Sequence, residues 1–267
     1  MSFRSTPALL TLCLLCSPAD EALADATAFA VESGEEKVAV LELYTSEGCS
    51  SCPPADEFLS TLVRSDYYPG NVIPLAFHVT YWDYIGWRDP YARSVFDDRQ
   101  SAMAAHGGSD RVYTPQLLLD GHGLRGIGGF VERLQTLNAG PPDAHISVSG
   151  GPVDGDKINL DVDVRVSDRA QHGHSALYLA LFENGLGSAV TAGENRGRTL
   201  RHDHVVRTLI GPLGLPVDSA DSRRSLTLQV PPGVDRENAG LAVFVQSRDS
   251  GAVLQALAIP LSTVYAR

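Results

Sequence analysis

The sequence predicts an α/β domain followed by a mostly antiparallel β domain with a sandwich-like arrangement. Strand and helix patterns alternate as far as residue 137, and a turn-forming stretch follows at residues 138–142. Short strand patterns alone fill the remainder of the 267 residues. We therefore expect a signal peptide at residues 1–26, an α/β domain at 27–140 and a β-rich domain at 141–267.

The first 26 residues have the organisation of a secretory signal. Arg4 supplies a positive start, residues 7–16 are apolar, and small residues follow around Ala24 and Ala26. The apolar run is far shorter than the roughly 20 residues that cross a bilayer. We expect cleavage after residue 24 or 26, a periplasmic or secreted protein, and no membrane span.

The first half of the mature chain has the alternation that is typical of α/β layers. The elements expected in order are a strand at 38–44, a helix at 53–64, a strand at 71–80, a helix at 90–106, a strand at 115–120, a glycine-rich hairpin at 121–129 and a helix at 130–137.

The second half contains short strand patterns separated by turn residues. They are expected at residues 145–149, 157–166, 176–183, 199–209, 225–230, 241–246 and 252–260. Residues 161–166 alternate polar and apolar side chains, as a strand with one solvated face does. About seven such strands favour an antiparallel sandwich.

Charge argues against a nucleic-acid partner. The chain has 32 acidic against 21 basic residues and a net charge of −11, whereas phosphate binding needs a concentrated basic surface. The densest basic stretch lies between Arg196 and Arg207, and charge runs of this kind usually form a solvated face.

The cysteines carry the clearest chemical signal. Cys13 and Cys16 lie in the expected signal peptide, so the mature chain keeps only Cys49 and Cys52. A close pair between a strand and a helix favours redox or metal chemistry over structural staples. We expect the amides of the first helical turn to stabilise a Cys49 thiolate as nucleophile, with Cys52 as the resolving thiol and no cofactor.

Thr114 and Pro115 open the strand at 115–120, and with the CxxC pair the chain resembles the thioredoxin superfamily. This resemblance implies a cis Thr114–Pro115 bond beside the cysteines and a backbone edge that binds substrate. Longer strings resemble the secreted thioredoxin-like family known as domain of unknown function 1223. They are LELYTSEGCSSCPPAD from Leu41, LAFHVTYWDYIGWRDPYA from Leu75, YTPQLLLDG from Tyr113 and ENRGRTLRHDHVVR from Glu194.

Two positions depart from these patterns. The family commonly has Asp where this chain has Thr80, so a carboxylate role there is in doubt. The buried Asp of thioredoxins corresponds to Leu43 here, and the neighbouring Glu42 faces the opposite side of its strand.

Further candidate residues follow the second strand. His78, Trp82 and Asp83 are expected at a substrate-binding rim, where the histidine could transfer protons and the indole could offer an apolar face, or they could simply pack the loop. His202 and His204 share a strand face if residues 199–209 are one strand, either as metal ligands or on a solvated face.

The leading functional prediction is an exported thiol–disulfide oxidoreductase whose partners are envelope thiol or disulfide proteins. One alternative is a copper-binding protein that uses the same cysteines with His78 as a third ligand, although Met103 is the only methionine after the signal peptide. A second alternative is a non-catalytic binding module with a structural disulfide.

Overall fold

The computed structural model describes residues 29–151, 155–216 and 221–265. The expected signal peptide and its cleavage site lie outside the described residues. Among the described helices, none is both long and apolar enough to cross a membrane.

The described strands, in chain order, are β1 (Phe29–Glu32), β2 (Ala39–Thr45), β3 (Val72–His78), β4 (Gln116–Leu119), β5 (His122–Leu124), β6 (Ala144–Gly150), β7 (Lys157–Val166), β8 (Ser175–Glu183), β9 (Leu186–Ala189), β10 (Thr199–His202), β11 (Val205–Gly214), β12 (Asp221–Gln229), β13 (Ala239–Ser247) and β14 (Val253–Pro260). The described helices are α1 (Pro53–Val63), α2 (Ser94–His106), α3 (Phe130–Asn138), α4 (Arg169–His172) and α5 (Leu261–Tyr265), with a 3-10 turn at Asp83–Ile85.

One mixed sheet of eight strands forms the centre of the molecule, in the order β14-β13-β8-β11-β3-β2-β4-β5. The β2–β3 and β3–β11 pairs are parallel, and the other pairs are antiparallel. A four-stranded antiparallel sheet has the order β1-β6-β7-β12, and β9 and β10 form a separate ribbon.

The predicted fold class is wrong. Strands account for 41% of the described residues and helices for 19%, so the protein is mostly β rather than an α/β thioredoxin-like domain with a β sandwich appended. The individual elements lie close to where the residue patterns place them, but β8, β11, β13 and β14 extend the sheet that β2 and β3 begin. The reason is that β11 pairs with β3 through Val205 and Ala76, which joins the two halves of the chain in one sheet.

The core has a layered arrangement because side chains of the central strands alternate between two faces. On β13, Leu241, Val243 and Val245 pack toward the four-stranded sheet, while Ala242 and Phe244 belong to the cluster that includes Phe96 and Met103 of α2. A third cluster packs α1 and α3 against β2 and β4.

Helix α2 is anchored to the central sheet by a buried ion pair. The Arg99 guanidinium donates to both carboxylate oxygens of Glu42, each at 2.8 Å, and the Tyr44 hydroxyl donates to Glu42 at 2.7 Å. Arg99 also lies 4.7 Å from the ring centroid of Tyr178. Glu42 therefore holds α2 in place. Because its carboxylate oxygens are already bound by Arg99 and Tyr44, it is poorly placed to transfer protons to the cysteines.

The predicted boundary at residue 140 falls between α3 and β6. Across it, the Ala76 amide donates to the His204 carbonyl at 2.9 Å, and His204 Nδ1 donates to the Pro74 carbonyl at 2.6 Å. The division into two domains stays a prediction.

Candidate active site around Cys49 and Cys52

Cys49 and Cys52 are joined by a disulfide in the loop between β2 and α1, with a Cα–Cα distance of 5.5 Å. The loop is closed by local bonds, since the Cys49 amide donates to the Ser46 carbonyl at 3.1 Å and the Cys52 amide to the Cys49 carbonyl at 3.2 Å. Both cysteines are fully buried, whereas Ser50 and Ser51 between them are exposed. A partner therefore meets the serines of this loop before it reaches sulfur.

The start of α1 differs from the sequence expectation. Cys52 is the N-cap, and Pro53 and Pro54 in the first turn have no N–H. The next two amides, of Ala55 and Asp56, donate to the Cys52 carbonyl at 2.8 and 3.2 Å. The expected stabilisation of Cys49 by first-turn amides is wrong, because those donors are missing or occupied. The Ser51 hydroxyl lies 3.3 Å from Cys49 Sγ.

A covering loop, residues 193–198, packs over the cysteine loop from the second half of the chain. The Glu194 carboxylate accepts from the Ser50 amide at 2.9 Å and from its hydroxyl at 2.7 Å. The hydrogen bond from the Ser50 hydroxyl, and to a smaller extent that from the Ser50 amide, lowers the pKa of Glu194. The buried Asn195 side chain donates to the carbonyls of Glu47 and Cys49, both at 2.9 Å. The covering loop thus fixes the backbone of the cysteine loop and places a carboxylate at its tip.

Beneath the cysteine loop lies a buried acid–histidine cluster that comprises Glu47, Asp56, His78, Asp89 and His202. His78 Nδ1 is 2.7 Å from Asp89 Oδ2, and the same oxygen accepts from the Glu47 amide at 2.8 Å. Burial opposes a charge on His78, but the charge of Asp89 and its hydrogen bond outweigh burial and raise the His78 pKa. The same pairing outweighs burial at Asp89 and lowers its pKa.

The second half of the cluster centres on His202. Its Nε2 lies 3.1 Å from Glu47 Oε1, and its Nδ1 lies 3.9 Å from Asp56 Oδ2. The Trp87 indole donates to the other Glu47 oxygen at 2.9 Å. Burial raises the pKa of Asp56, against the opposing charges of His202 and His78. The rings of His78 and His202 meet edge to face with centroids 4.8 Å apart, so the two halves of the cluster are in contact.

The structure brings some of the predicted rim residues together at one side of the cysteine loop. Trp82 Nε1 donates to the Thr114 hydroxyl at 2.7 Å, and the Thr114–Pro115 bond is cis. Trp82 also packs on Gly48, where an added Cβ would lie 3.2 Å from Trp82 Cβ. Trp82 therefore links Thr114 to the residue that precedes Cys49.

Asp83 and His78 take other positions. Asp83 accepts from the Asp89 amide at 3.1 Å and so orders the loop that carries Asp89, and burial raises the pKa of Asp83. His78 is fully buried in the acid–histidine cluster instead of at the rim.

His202 and His204 do not share a face, because residues 199–209 form two strands, with His204 at a φ of 51° between them. The His204 ring stacks on Phe182 with centroids 4.0 Å apart. Burial lowers the pKa of His204 to about 4. Within the part of the chain that the structure describes, no group of three or more His, Cys, Asp or Glu side chains could hold a metal ion.

Comparison with known proteins places the chain in a family. The profile of DUF1223, described as a protein of unknown function, matches residues 40–246. The chain belongs to the DUF1223 family. This span contains both cysteines, the acid–histidine cluster and the covering loop. No curated protein matches the chain.

Two solved structures resemble this DUF1223 protein. Protein AGR_C_4864 from Agrobacterium tumefaciens is 27% identical, with a TM-score of 0.60, and the match covers 85% of this chain and 96% of that one. HBP35 of Porphyromonas gingivalis is 14% identical, with a TM-score of 0.66 and coverage of 86% and 77%, a likeness in fold alone.

Sequence reasoning missed several residues of this DUF1223 site. Glu47 and Asp56 lie within the string from Leu41, and Glu194 and Asn195 open the string from Glu194, so the strings that carry the family resemblance contained them. Their burial and mutual contacts depend on pairings across about 140 residues of chain, such as that of Asn195 with Cys49.

Proposed function

We propose that this protein is a thiol–disulfide oxidoreductase of the cell envelope, with Cys49 and Cys52 as the exchanging pair. The observation that supports the proposal is the disulfide itself, at the start of α1 and flanked along the chain by Glu47 and Asp56 of the buried acid–histidine cluster. A structural disulfide needs no titratable groups beneath it, whereas exchange needs proton donors and acceptors.

The exchange runs through a mixed disulfide. A substrate thiolate attacks Cys49 Sγ, the Cys49–Cys52 bond breaks, and Cys52 leaves as a thiolate. A second substrate thiol then attacks the substrate sulfur of the mixed disulfide and releases Cys49, so the substrate is oxidised to a disulfide and the protein is reduced. The reverse sequence reduces a substrate disulfide. Cys49 is the expected site of attack because it precedes α1 next to exposed Ser50, while Cys52 caps the helix.

The surroundings of Cys49 favour the reducing direction. Strong disulfide oxidants owe their potential to a stabilised thiolate. Here burial opposes the charge, the first-turn amide donors are lost to Pro53 and Pro54, and the Glu194 carboxylate binds the adjacent Ser50. We therefore expect a reduction potential nearer to about −270 mV than to about −120 mV, and net transfer of electrons to substrate disulfides.

The substrates are expected to be envelope thiol or disulfide proteins. The secretory pattern of the first 26 residues supports export to the periplasm or beyond, where disulfides persist. A substrate segment is expected to bind at Thr114, Pro115 and Trp82, the predicted rim residues that lie together beside the cysteine loop. Asp83 is expected to support this side by ordering the loop that carries Asp89, and His78 to act from the buried cluster. Tyr113, 54% exposed next to Thr114, adds an aromatic surface there.

The decisive experiment compares two matched variants in cells. Cys52→Ser is expected to trap covalent mixed disulfides with envelope proteins, because Cys49 can attack but nothing resolves the adduct. Cys49→Ser is expected to trap few or none. Non-reducing gels report the adducts, and metal analysis of the wild type runs beside them. Equal absence of adducts in both variants, together with stoichiometric copper in the wild type, would overturn the proposal in favour of a metal-binding protein.

A further inference from the structure

We propose that Asp56 and His202 are the proton-transfer pair of the Cys49–Cys52 couple, and that they exchange protons with solvent through the cavity between α1 and β10. This inference rests on the proposed function and adds the groups that hold and move the proton.

The position of Asp56 relative to Cys52 is the first observation. Asp56 lies one helical turn after Cys52, and its amide donates to the Cys52 carbonyl at 3.2 Å. Side chains four residues apart are neighbours on a helix, and each Cα–Cβ bond tilts toward the helix N-terminus. The Asp56 side chain, 7% exposed, therefore lies on the same face of the first helical turn as Cys52.

Unmet hydrogen-bonding capacity is the second observation. Among the described residues, His202 Nδ1 and His78 Nε2 are buried here without a hydrogen-bond partner. Asp56 Oδ1 also has no partner at full hydrogen-bond distance, although the nearby Thr45 hydroxyl favours the ionised carboxylate and acts to lower the Asp56 pKa. Buried polar atoms are normally paired, and a concentration of unpaired ones in a native protein requires an explanation such as a catalytic role. Asp56 and His202, 3.9 Å apart, are close enough to exchange a proton after a small movement but are not committed to each other.

His202 is held in an orientation that suits this role. Glu47 engages its Nε2 at 3.1 Å, and Trp87 fixes Glu47 from the other side at 2.9 Å. A carboxylate on one ring nitrogen orients the imidazole, which leaves Nδ1 to face Asp56. Glu47 is thus the positioning residue of the pair.

The charged groups around Asp56 come from several elements, and they either act on its carboxyl or lie close to it. They are Glu57 on α1, His78 on β3, Glu47 and Asp89 on the loops after β2 and β3, and Arg198, Arg201 and His202 on the segment that ends in β10. Burial raises the Asp56 pKa against the opposing charges of His202 and His78, so the carboxyl can carry a proton closer to neutral pH than an exposed aspartate can.

A route to solvent completes the arrangement. A cavity of about 440 Å³ is lined by both Asp56 and His202, with Pro53 on the α1 side and Arg201 on the β10 side. Protons can therefore enter and leave without passing the buried disulfide, which the covering loop shields.

The proton step balances the exchange. When a substrate dithiol reduces the disulfide, Cys52 leaves as a thiolate and takes a proton from Asp56 or from protonated His202. The substrate thiols release two protons to solvent. One proton returns through the cavity and reprotonates Asp56 or His202, and the other protonates the Cys49 thiolate. In the reverse direction the Asp56 carboxylate accepts the Cys52 proton and generates the attacking thiolate.

The test measures reduction of the oxidised full chain by dithiothreitol between pH 5 and 9, with acid quenching and thiol alkylation as the readout. After correction for the thiolate fraction of dithiothreitol, the wild-type rate is expected to fall as pH rises through the Asp56 pKa. At low pH, Asp56→Asn and His202→Gln are each expected to be reduced at least about tenfold more slowly than the wild type. General acid catalysis typically contributes about 10²- to 10⁴-fold, so a tenfold loss is a low threshold. Glu132→Gln, at an exposed carboxylate on α3 that does not line this cavity, is the control with an expected wild-type profile.

A second measurement uses the wild type alone, so it does not depend on variants that fold. Carbon-13 NMR of the Asp56 carboxyl is expected to show a higher pKa in the reduced protein than in the oxidised one, because a thiol and a carboxyl that share a proton titrate as a pair. An unchanged Asp56 pKa, or a wild-type rate profile in both variants, overturns this inference. Since dithiothreitol is the reductant, that outcome is distinct from a failure to trap envelope substrates, which concerns the proposed function.

Discussion

Acidification is expected to weaken the contact between β11 and β3 through one buried histidine. His204 donates from Nδ1 to the Pro74 carbonyl, and its Nε2 is buried against Phe182 without a partner. A proton on Nε2 would therefore be buried and unpaired, which is why burial lowers the His204 pKa from 6.5 to about 4. Between these two values the unfolded chain binds a proton that the folded chain does not.

The sign and size of the effect follow from linkage. The contribution of His204 to the free energy of unfolding is fully present above about pH 6.5. It is lost as the pH drops from 6.5 to about 4, and it does not change further below that pH. A difference of 2.5 pKa units at about 1.36 kcal/mol each amounts to about 3 kcal/mol over the whole window.

Urea unfolding at pH 7.5 and 4.5 measures this contribution. His204→Asn is the informative variant, because asparagine tolerates the φ of 51° at this position and does not titrate. Between pH 7.5 and pH 4.5, the free energy of unfolding of the wild type is expected to fall by about 2 to 3 kcal/mol more than that of this variant. His106→Gln, at an exposed histidine, serves as the control and is expected to behave as the wild type. Equal losses in the wild type and His204→Asn would refute the reasoning.

Two further predictions concern the buried Arg99–Glu42 ion pair and the Glu194 carboxylate. Arg99→Met is expected to cost about 3–5 kcal/mol in the free energy of unfolding, because it leaves the Glu42 carboxylate buried without its cation, and adding Glu42→Gln should recover part of the loss. Chemical denaturation checks this, and a cost below about 1 kcal/mol would speak against it. Glu194→Gln removes the carboxylate bound to Ser50 and is expected to raise several-fold the rate at which iodoacetamide alkylates reduced Cys49, and to make the couple more oxidising in glutathione buffers. An unchanged rate and potential would show that Glu194 has no influence on the thiolate.

The secondary structure followed from local patterns, whereas the sheet order did not. The predicted strand at residues 38–44 and the predicted helix at 53–64 correspond to β2 and α1, because periodicity and proline placement act within each segment. The alternating small and large apolar residues of β13 are compatible with either a sandwich strand or a central strand of a mixed sheet. The choice between them is made by the pairing of β11 with β3, which joins residues about 130 positions apart.

Part of the site could be predicted for the same reason. The cysteine pair occupies a local strand–turn–helix segment, so its place followed from neighbouring residues. Glu194, Asn195 and His202 reach the cysteine loop only because the chain returns to α1 after the seven strands β3 to β9. The break at His204, which separates the two histidines of the predicted strand at 199–209, depends on a left-handed residue that hydrophobic periodicity does not reveal.

The parallel pairing of β3 with β11 has a consequence for how the chain matures. During synthesis or export, β3 emerges long before β11, and until residue 205 arrives the Ala76 amide that binds the His204 carbonyl lacks its acceptor. An unpaired strand edge of this kind is a template for association with other chains. A fragment that stops near residue 140 would keep this edge exposed and should aggregate. The intact chain should fold slowly because its central pairing joins Ala76 and Val205, which are nearly half of the chain length apart. The surroundings of the cysteine loop are therefore complete only late in maturation, after residues 193–198 have been delivered and Asn195 can bind the Glu47 and Cys49 carbonyls.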